Sequence, residues 1–215
     1  MIIGICGKSG CGKSTLSNQI IKFTDKKAIH LDIDKVGHSV LLIPEVKEEL
    51  INSFDETIIK DDNIDRKKLG EIVFDSRNEM DKLSKVTWKY MQLEIDKFLN
   101  QNKDKIVILD WLLLPISKYF DMCDIKIFLN IPYEVRKERA IKRDNITKEK
   151  FDLREKASIE FDEDDFDYVL KENDEKTVKS LVKLLWQKFY IQEVLILLQK
   201  DTWILLSKQV ICLMK

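Results

Sequence analysis

The first six residues, Met1-Ile2-Ile3-Gly4-Ile5-Cys6, carry no charge, the pattern of a strand buried on both faces. A helical period takes over at Ser14–Phe23, where Leu16, Ile20 and Phe23 share one side. Ala28–Leu31 is a second short strand and runs into Asp32-Ile33-Asp34, with a helix starting near Lys35. Helices are predicted over Pro44–Phe54, Ile64–Phe74 and Ser76–Asn100. Two continuous apolar strands come next, Lys105–Asp110 and Ile125–Asn130, followed by helices over Tyr133–Arg143 and Lys148–Ser158. Tyr168–Leu170 is a last strand, with a helix over Glu175–Phe189 behind it.

Apolar strands that alternate with helices build a parallel sheet covered on both faces. The predicted fold class is α/β, with about five strands and an added helical region. Such sheets bind ligands beyond the carboxyl ends of their strands. The residues after Cys6, the pair Asp32/Asp34 and Asp110 all fall at such ends.

Composition sharpens the picture at two places. Of the six glycines, Gly4, Gly7, Gly10 and Gly12 lie in the first twelve residues, so the backbone there takes unusual angles or closely approaches a ligand. Six arginines stand against 31 lysines, and Arg136, Arg139 and Arg143 fall within eight residues. Elsewhere composition excludes classes. A 215-residue chain with 44% hydrophobic and 35% charged positions is globular, and its net charge of −1 argues against a dedicated nucleic-acid binder. No leader pattern opens the chain, and no apolar run approaches the ~20 residues of a membrane span. Cys6, Cys11, Cys123 and Cys212 lack metal-type spacing and read as reduced thiols of a cytoplasmic protein. His30 and His38 are read as incidental.

Gly7-Lys8-Ser9-Gly10-Cys11-Gly12-Lys13-Ser14 fits G-x-x-x-x-G-K-[ST] at every fixed position. It follows a strand and opens a helix, as a phosphate cradle requires, and this makes the sheet one of P-loop NTPase type. Residues Gly7 to Thr15 are thus the candidate ATP site. Lys13 reaches the β- and γ-phosphates and Ser14 holds Mg²⁺. No Asn-Lys-x-Asp segment for reading a guanine base occurs. The leading class is a phosphoryl-transfer enzyme acting on a small molecule.

Asp32 and Asp34 point the same way in extended backbone, and a carboxylate there can take the proton of an attacking hydroxyl. The alternative for Asp32 is to cap the helix that follows. Asp110 either helps position Mg²⁺ or caps the next helix. Arg136, Arg139 and Arg143 stand at i, i+3 and i+7, one helical face suited to phosphate or to solvent. Residues 136–158 form a candidate lid.

This order of motifs resembles the dephospho-coenzyme A kinases. The resemblance rests on the phosphate loop, on Asp32-Ile33-Asp34, on Ile64-Asp65-Arg66-Lys67-Lys68-Leu69 with Val73-Phe74, on Arg139 and Arg143-Asp144, and on Phe166-Asp167-Tyr168-Val169-Leu170. It implies ATP-dependent phosphorylation of the ribose 3′-hydroxyl of dephospho-coenzyme A. Asp32 would be the base, Lys13, Arg139 and Arg143 would act on the transferring group, and Ser14 and Asp110 would hold Mg²⁺. Asp34, Arg66 and Leu113 would contact the acceptor. Two segments depart from the family. Its His-Pro is Thr87-Trp88, and its Asp-x-Pro-Leu-Leu-Phe-Glu is Asp110-Trp111-Leu112-Leu113-Leu114-Pro115-Ile116.

These departures keep two other readings open. One is a uridine kinase-like nucleoside or nucleotide kinase, whose loop this one is close to, and the other is a nucleotide-binding protein without catalysis. The kinase-like domain is expected over 1–188, with a helical acceptor insertion at about 45–100. From Ile191 to Met214 only Glu193, Lys200, Asp201 and Lys208 are charged. The extension at 189–215 reads as a packed helix, a self-association helix or an unrelated segment.

Overall fold

The computed structural model describes residues 1–24, 27–74 and 76–188. The extension expected at 189–215 lies outside them. Strand β1 (Ile2–Cys6) leads through the glycine loop into α1 (Lys13–Phe23), and β2 (Ala28–Asp32) leads directly into α2 (Ile33–Val40). Helix α3 (Pro44–Phe54), the short strands β3 (Ile59–Lys60) and β4 (Asn63–Ile64), α4 (Arg66–Phe74) and the long α5 (Arg77–Gln101) make the inserted region. The chain returns to the sheet as β5 (Ile106–Asp110), followed by the short α6 (Lys118–Asp121) and β6 (Ile125–Leu129). Helices α7 (Tyr133–Asp144) and α8 (Lys148–Lys156) precede β7 (Tyr168–Leu170). Residues 175–188 form a last helix, α9.

The five main strands lie in the order β2-β5-β1-β6-β7, and each neighbouring pair is parallel. Alternation along a strand assigns its side chains to two faces. Ile106 and Ile108 join Ile3, Ile5, Leu16, Ile20, Val178 and Leu185 in a core shared with α1 and α9. Val107 and Leu109 turn the other way, to Ile33, Val36, Met91 and Ile95 of α2 and α5. Both faces are therefore dry, which is why these strands read as unbroken apolar runs. A third cluster, built on Val46, Leu50, Phe54, Ile58, Leu69 and Val73, gives the insertion a core of its own.

Helix α4 begins at Arg66, two residues later than the sequence pattern suggests. Asn63–Ile64 instead pairs antiparallel with Ile59–Lys60. Asp61 and Asp62, at φ 48° and 62°, make the two-residue turn with both centres left-handed. Asp65 then caps α4, its Oδ1 accepting from the Lys67 and Lys68 amides at 3.0 and 3.2 Å.

Candidate active site

The loop between β1 and α1 is held open by glycines. Gly10 and Gly12 sit at φ 81° and 93°. A β-carbon on Gly10 would lie 2.2 Å from the Arg136 carbonyl oxygen, and one on Gly12 would lie 2.4 Å from Asn173 Nδ2. Only glycine fits either position. The Lys13 ammonium folds back over the loop and donates to the Gly7 carbonyl at 3.0 Å. Ser14 and Thr15 are exposed at the mouth of the site.

Neighbouring strand ends bring the carboxylates together. Asp32 ends β2 directly beside Asp110, which ends β5. Asp110 is buried, and its Oδ2 accepts from Ser14 Oγ at 2.9 Å and lies 3.2 Å from His30 Nε2. Strand β5 runs into Trp111, and the Asp110 oxygen is turned to Ser14 and His30 rather than to the segment that follows it. Asp32 does cap α2: its Oδ1 accepts from the Lys35 amide at 3.2 Å, while Oδ2 pairs with Lys35 Nζ at 3.2 Å. Asp34 sits in the first turn of α2 and keeps an exposed edge. The surrounding protein raises its pKa by desolvation; Lys13 opposes this, and Asp32 and Asp110 add to it.

The three clustered arginines do not act as one face, which corrects the sequence expectation. Arg136 is buried and turned inward, donating to both Glu155 carboxylate oxygens at 2.7 and 2.8 Å, to Ile131 O at 2.9 Å and to Ser9 O at 3.4 Å. Helix α8 packs over this side of α7 through buried Phe151. Arg139 reaches Asn173 Oδ1 at 3.5 Å, beside Gly12. Arg143 is held by Asp144 at 2.7 and 3.0 Å, and Arg154 takes the same carboxylate at 2.7 Å.

Two loop side chains are also committed elsewhere. The Lys8 ammonium pairs with Glu160 at 2.9 Å and Glu155 at 3.4 Å, so only its backbone lines the phosphate cradle. The Cys11 thiol is fully buried in the core, and burial pushes its pKa up. Arg66 Nη2 donates to His38 Nε2 at 2.8 Å, joining α4 to α2. Burial first and Arg66 second lower the His38 pKa. Leu113 is half-buried against the α2–α5 core. Trp88 stacks on Trp111 at 5.3 Å, so Thr87-Trp88 serves packing between α5 and the end of β5.

Asn173, Glu155 and Glu160 were missed by sequence reasoning, and His30 and His38, read there as incidental, also make contacts at the site. His30 alternates with the apolar side chains of β2 toward Asp110, a signal that strand register alone carries.

A phosphate loop after the central strand of a parallel sheet, with carboxylates ending two adjacent strands beside it, places the molecule among the phosphate-loop kinases. A family model for dephospho-CoA kinase matches residues 1–178. The dephospho-CoA kinase of Aquifex aeolicus is 38% identical over 164 residues, covering 75% of this chain and 82% of that one. This chain belongs to the dephospho-CoA kinase family. The dephospho-CoA kinase of Fusobacterium nucleatum is 37% identical over 69% of this chain and 76% of its own. Among solved structures, TT1252 of Thermus thermophilus shares the fold at TM-score 0.75 and 22% identity, covering 87% of this chain and 97% of that one. Dephospho-CoA kinase from Campylobacter jejuni shares it at TM-score 0.61 and 22% identity, covering 87% and 96%. Among the described residues no helix is long and apolar enough to cross a membrane.

Proposed function

We propose that this chain transfers the γ-phosphoryl group of ATP to the ribose 3′-hydroxyl of dephospho-coenzyme A, the last step of coenzyme A biosynthesis. The observation that carries the mechanism is the pairing of Asp32 with Asp110 at adjacent strand ends, beside Lys13 and Ser14. The backbone amides of Gly7 to Thr15 and the Lys13 ammonium bind the phosphates of ATP, with the N-terminus of α1 adding its positive end.

Ser14 Oγ and Asp110 Oδ2, both hard oxygens, stand 2.9 Å apart. Neighbouring ligands on an octahedral ion with bonds of roughly 2.0–2.1 Å have about that spacing, so the pair fits Mg²⁺. When bound, Mg²⁺ supplies charge neutralisation between the phosphates. His30 Nε2 lies 3.2 Å from the same Oδ2 and helps orient the carboxylate.

Asp32 takes the proton of the acceptor hydroxyl as general base. Its role as a cap does not compete, because the cap bond fixes the carboxylate at the strand end. Arg139 and Arg143 neutralise the transferring group. Arg143 reaches it by leaving Asp144, which keeps Arg154 as its partner. Arg66, Asp34 and Leu113 border the acceptor side. The insertion at about 45–100 and the lid at 136–158 close the domain over both substrates. The reaction belongs in the cytoplasm, a reducing compartment that suits the free thiols Cys6, Cys11 and Cys123.

A coupled ADP-release assay tests the reading. Dephospho-coenzyme A must stimulate release in the presence of ATP and Mg²⁺, and stimulation by uridine or cytidine alone would overturn it.

A further inference from the structure

The two ends of the phosphate loop face different neighbours. At the Gly12 end stand Arg139 and Asn173. At the Lys8 end lies an open pocket of about 190 Å³, lined by Lys8, Phe128, Asn130, Arg136, Glu160, Phe161 and Glu163 among others. One side of its largely polar lining is aromatic: Phe161 stacks on Phe128 at 4.8 Å, and Phe166, behind them, stacks on Phe128 at 5.2 Å. Its rim is polar: Asn130 Nδ2 donates to Glu163, and Glu160 holds Lys8.

The charge of this lining decides what it suits. Lys8 and Arg136 are both cationic, but Glu155 and Glu160 already take them. Glu163 adds a further negative charge. No surplus cation remains for a phosphate or diphosphate. Carboxylate and amide groups beside an aromatic wall instead suit a neutral, flexible chain that carries amides and methylene groups.

Position narrows the choice further. Asp32, the proposed base, ends β2, while the cavity lies beside the end of β6. The order β2-β5-β1-β6 separates those ends by three strand spacings, about 14 Å. An acceptor whose ribose sits at Asp32 reaches the cavity only if it carries a long appendage.

We infer that the cavity between the Lys8 end of the phosphate loop, the end of β6 and the segment 160–163 receives the neutral amide arm of the acceptor. The inference rests on the dephospho-coenzyme A reading and extends it to a specificity site that includes Phe161, Asn130 and Glu163. Phe161 would cover the methylene and branched carbon groups, and Glu163 and Asn130 would meet the amides.

Calorimetric titration tests it, with the donor site filled by a non-hydrolysable ATP analogue. The two titrants are dephospho-coenzyme A and adenosine 5′-monophosphate, which has the same ribose hydroxyl and no arm. Phe161→Ala should weaken dephospho-coenzyme A about tenfold, the factor that ~1.4 kcal/mol produces. Glu163→Gln, which leaves the aromatic wall intact, should weaken it ~threefold. Neither should change the affinity for adenosine 5′-monophosphate. Equal weakening of both titrants, weakening of neither, or a wild-type chain that binds both alike overturns the arm site, while the kinase reading stands if dephospho-coenzyme A still stimulates ADP release. A wild-type chain unable to phosphorylate dephospho-coenzyme A overturns that reading and the arm site with it.

Discussion

Replacing Glu155 by alanine would remove the carboxylate that ties α8 to α7 and to the phosphate loop. The Arg136 guanidinium makes four described contacts, two to Glu155 and one each to Ile131 O and Ser9 O. In Glu155→Ala the charge stays buried with the two carbonyls only. Removing one partner of a buried pair costs about 3–5 kcal/mol. The Glu155 side chain is 20% exposed, so water enters and ~3 kcal/mol, the lower end of that range, applies. In a domain of this size each 1 kcal/mol moves Tm by about 2–4 °C, so a thermal melt followed by circular dichroism should fall by about 6–12 °C. The double variant Glu155→Ala/Arg136→Met should recover part of this loss, because no unpaired charge remains. Arg136 also lowers the Glu155 pKa. A depressed folded value stabilises above the ordinary carboxylate range and is lost as pH falls through it, so wild type and variant should converge on acidification. A Tm within about 2 °C of wild type at neutral pH would refute the assignment of Glu155 as the anchor between α8 and α7.

Three further outcomes follow from the site. Asp32→Asn should lower kcat by about 10²–10⁴ while ATP affinity by calorimetry holds, and unchanged turnover would remove Asp32 as base. Gly10→Ala places a methyl 2.2 Å from a backbone oxygen that cannot move away, at a φ of +81°. ATP affinity should drop at least about tenfold, and a normal affinity would show that the loop is not rigid there. His38 accepts from Arg66 only while neutral, and its pKa is depressed. The contact is complete above the ordinary value of 6.5 and is lost as pH falls through the depressed one. The KM for dephospho-coenzyme A should therefore rise on acidification in wild type and stay flat in His38→Gln; parallel profiles would contradict the role of this pair.

The sheet was legible because its strands are buried on both faces, and an unbroken run such as Ile106–Leu109 has no other soluble explanation in this setting. The phosphate loop was legible because its chemistry lies in consecutive residues. The hairpin at Ile59–Ile64 was not, since two-residue strands show no alternation and Asp61-Asp62 lacks the usual glycine of such a turn. The fate of Arg136 was hidden for another reason. Helical spacing puts Arg136, Arg139 and Arg143 on one face but does not reveal which part of that face α8 covers. Helix α8 has Phe151 as its buried residue, so its docking face leaves almost no hydrophobic period. Contacts between distant segments, such as Lys8 with Glu160 and Gly12 with Asn173, are set by tertiary packing, where residue type alone does not point to a partner.

Where the phosphate lands tests the central claim most directly. After incubation with ATP, Mg²⁺ and dephospho-coenzyme A, the product can be isolated and its phosphorus and ribose protons read by nuclear magnetic resonance. A new phosphate coupled to the ribose 3′-proton, giving coenzyme A in amounts equal to the ADP released, is the predicted result. ADP release with dephospho-coenzyme A recovered unchanged, or a phosphate at any other hydroxyl, would contradict it.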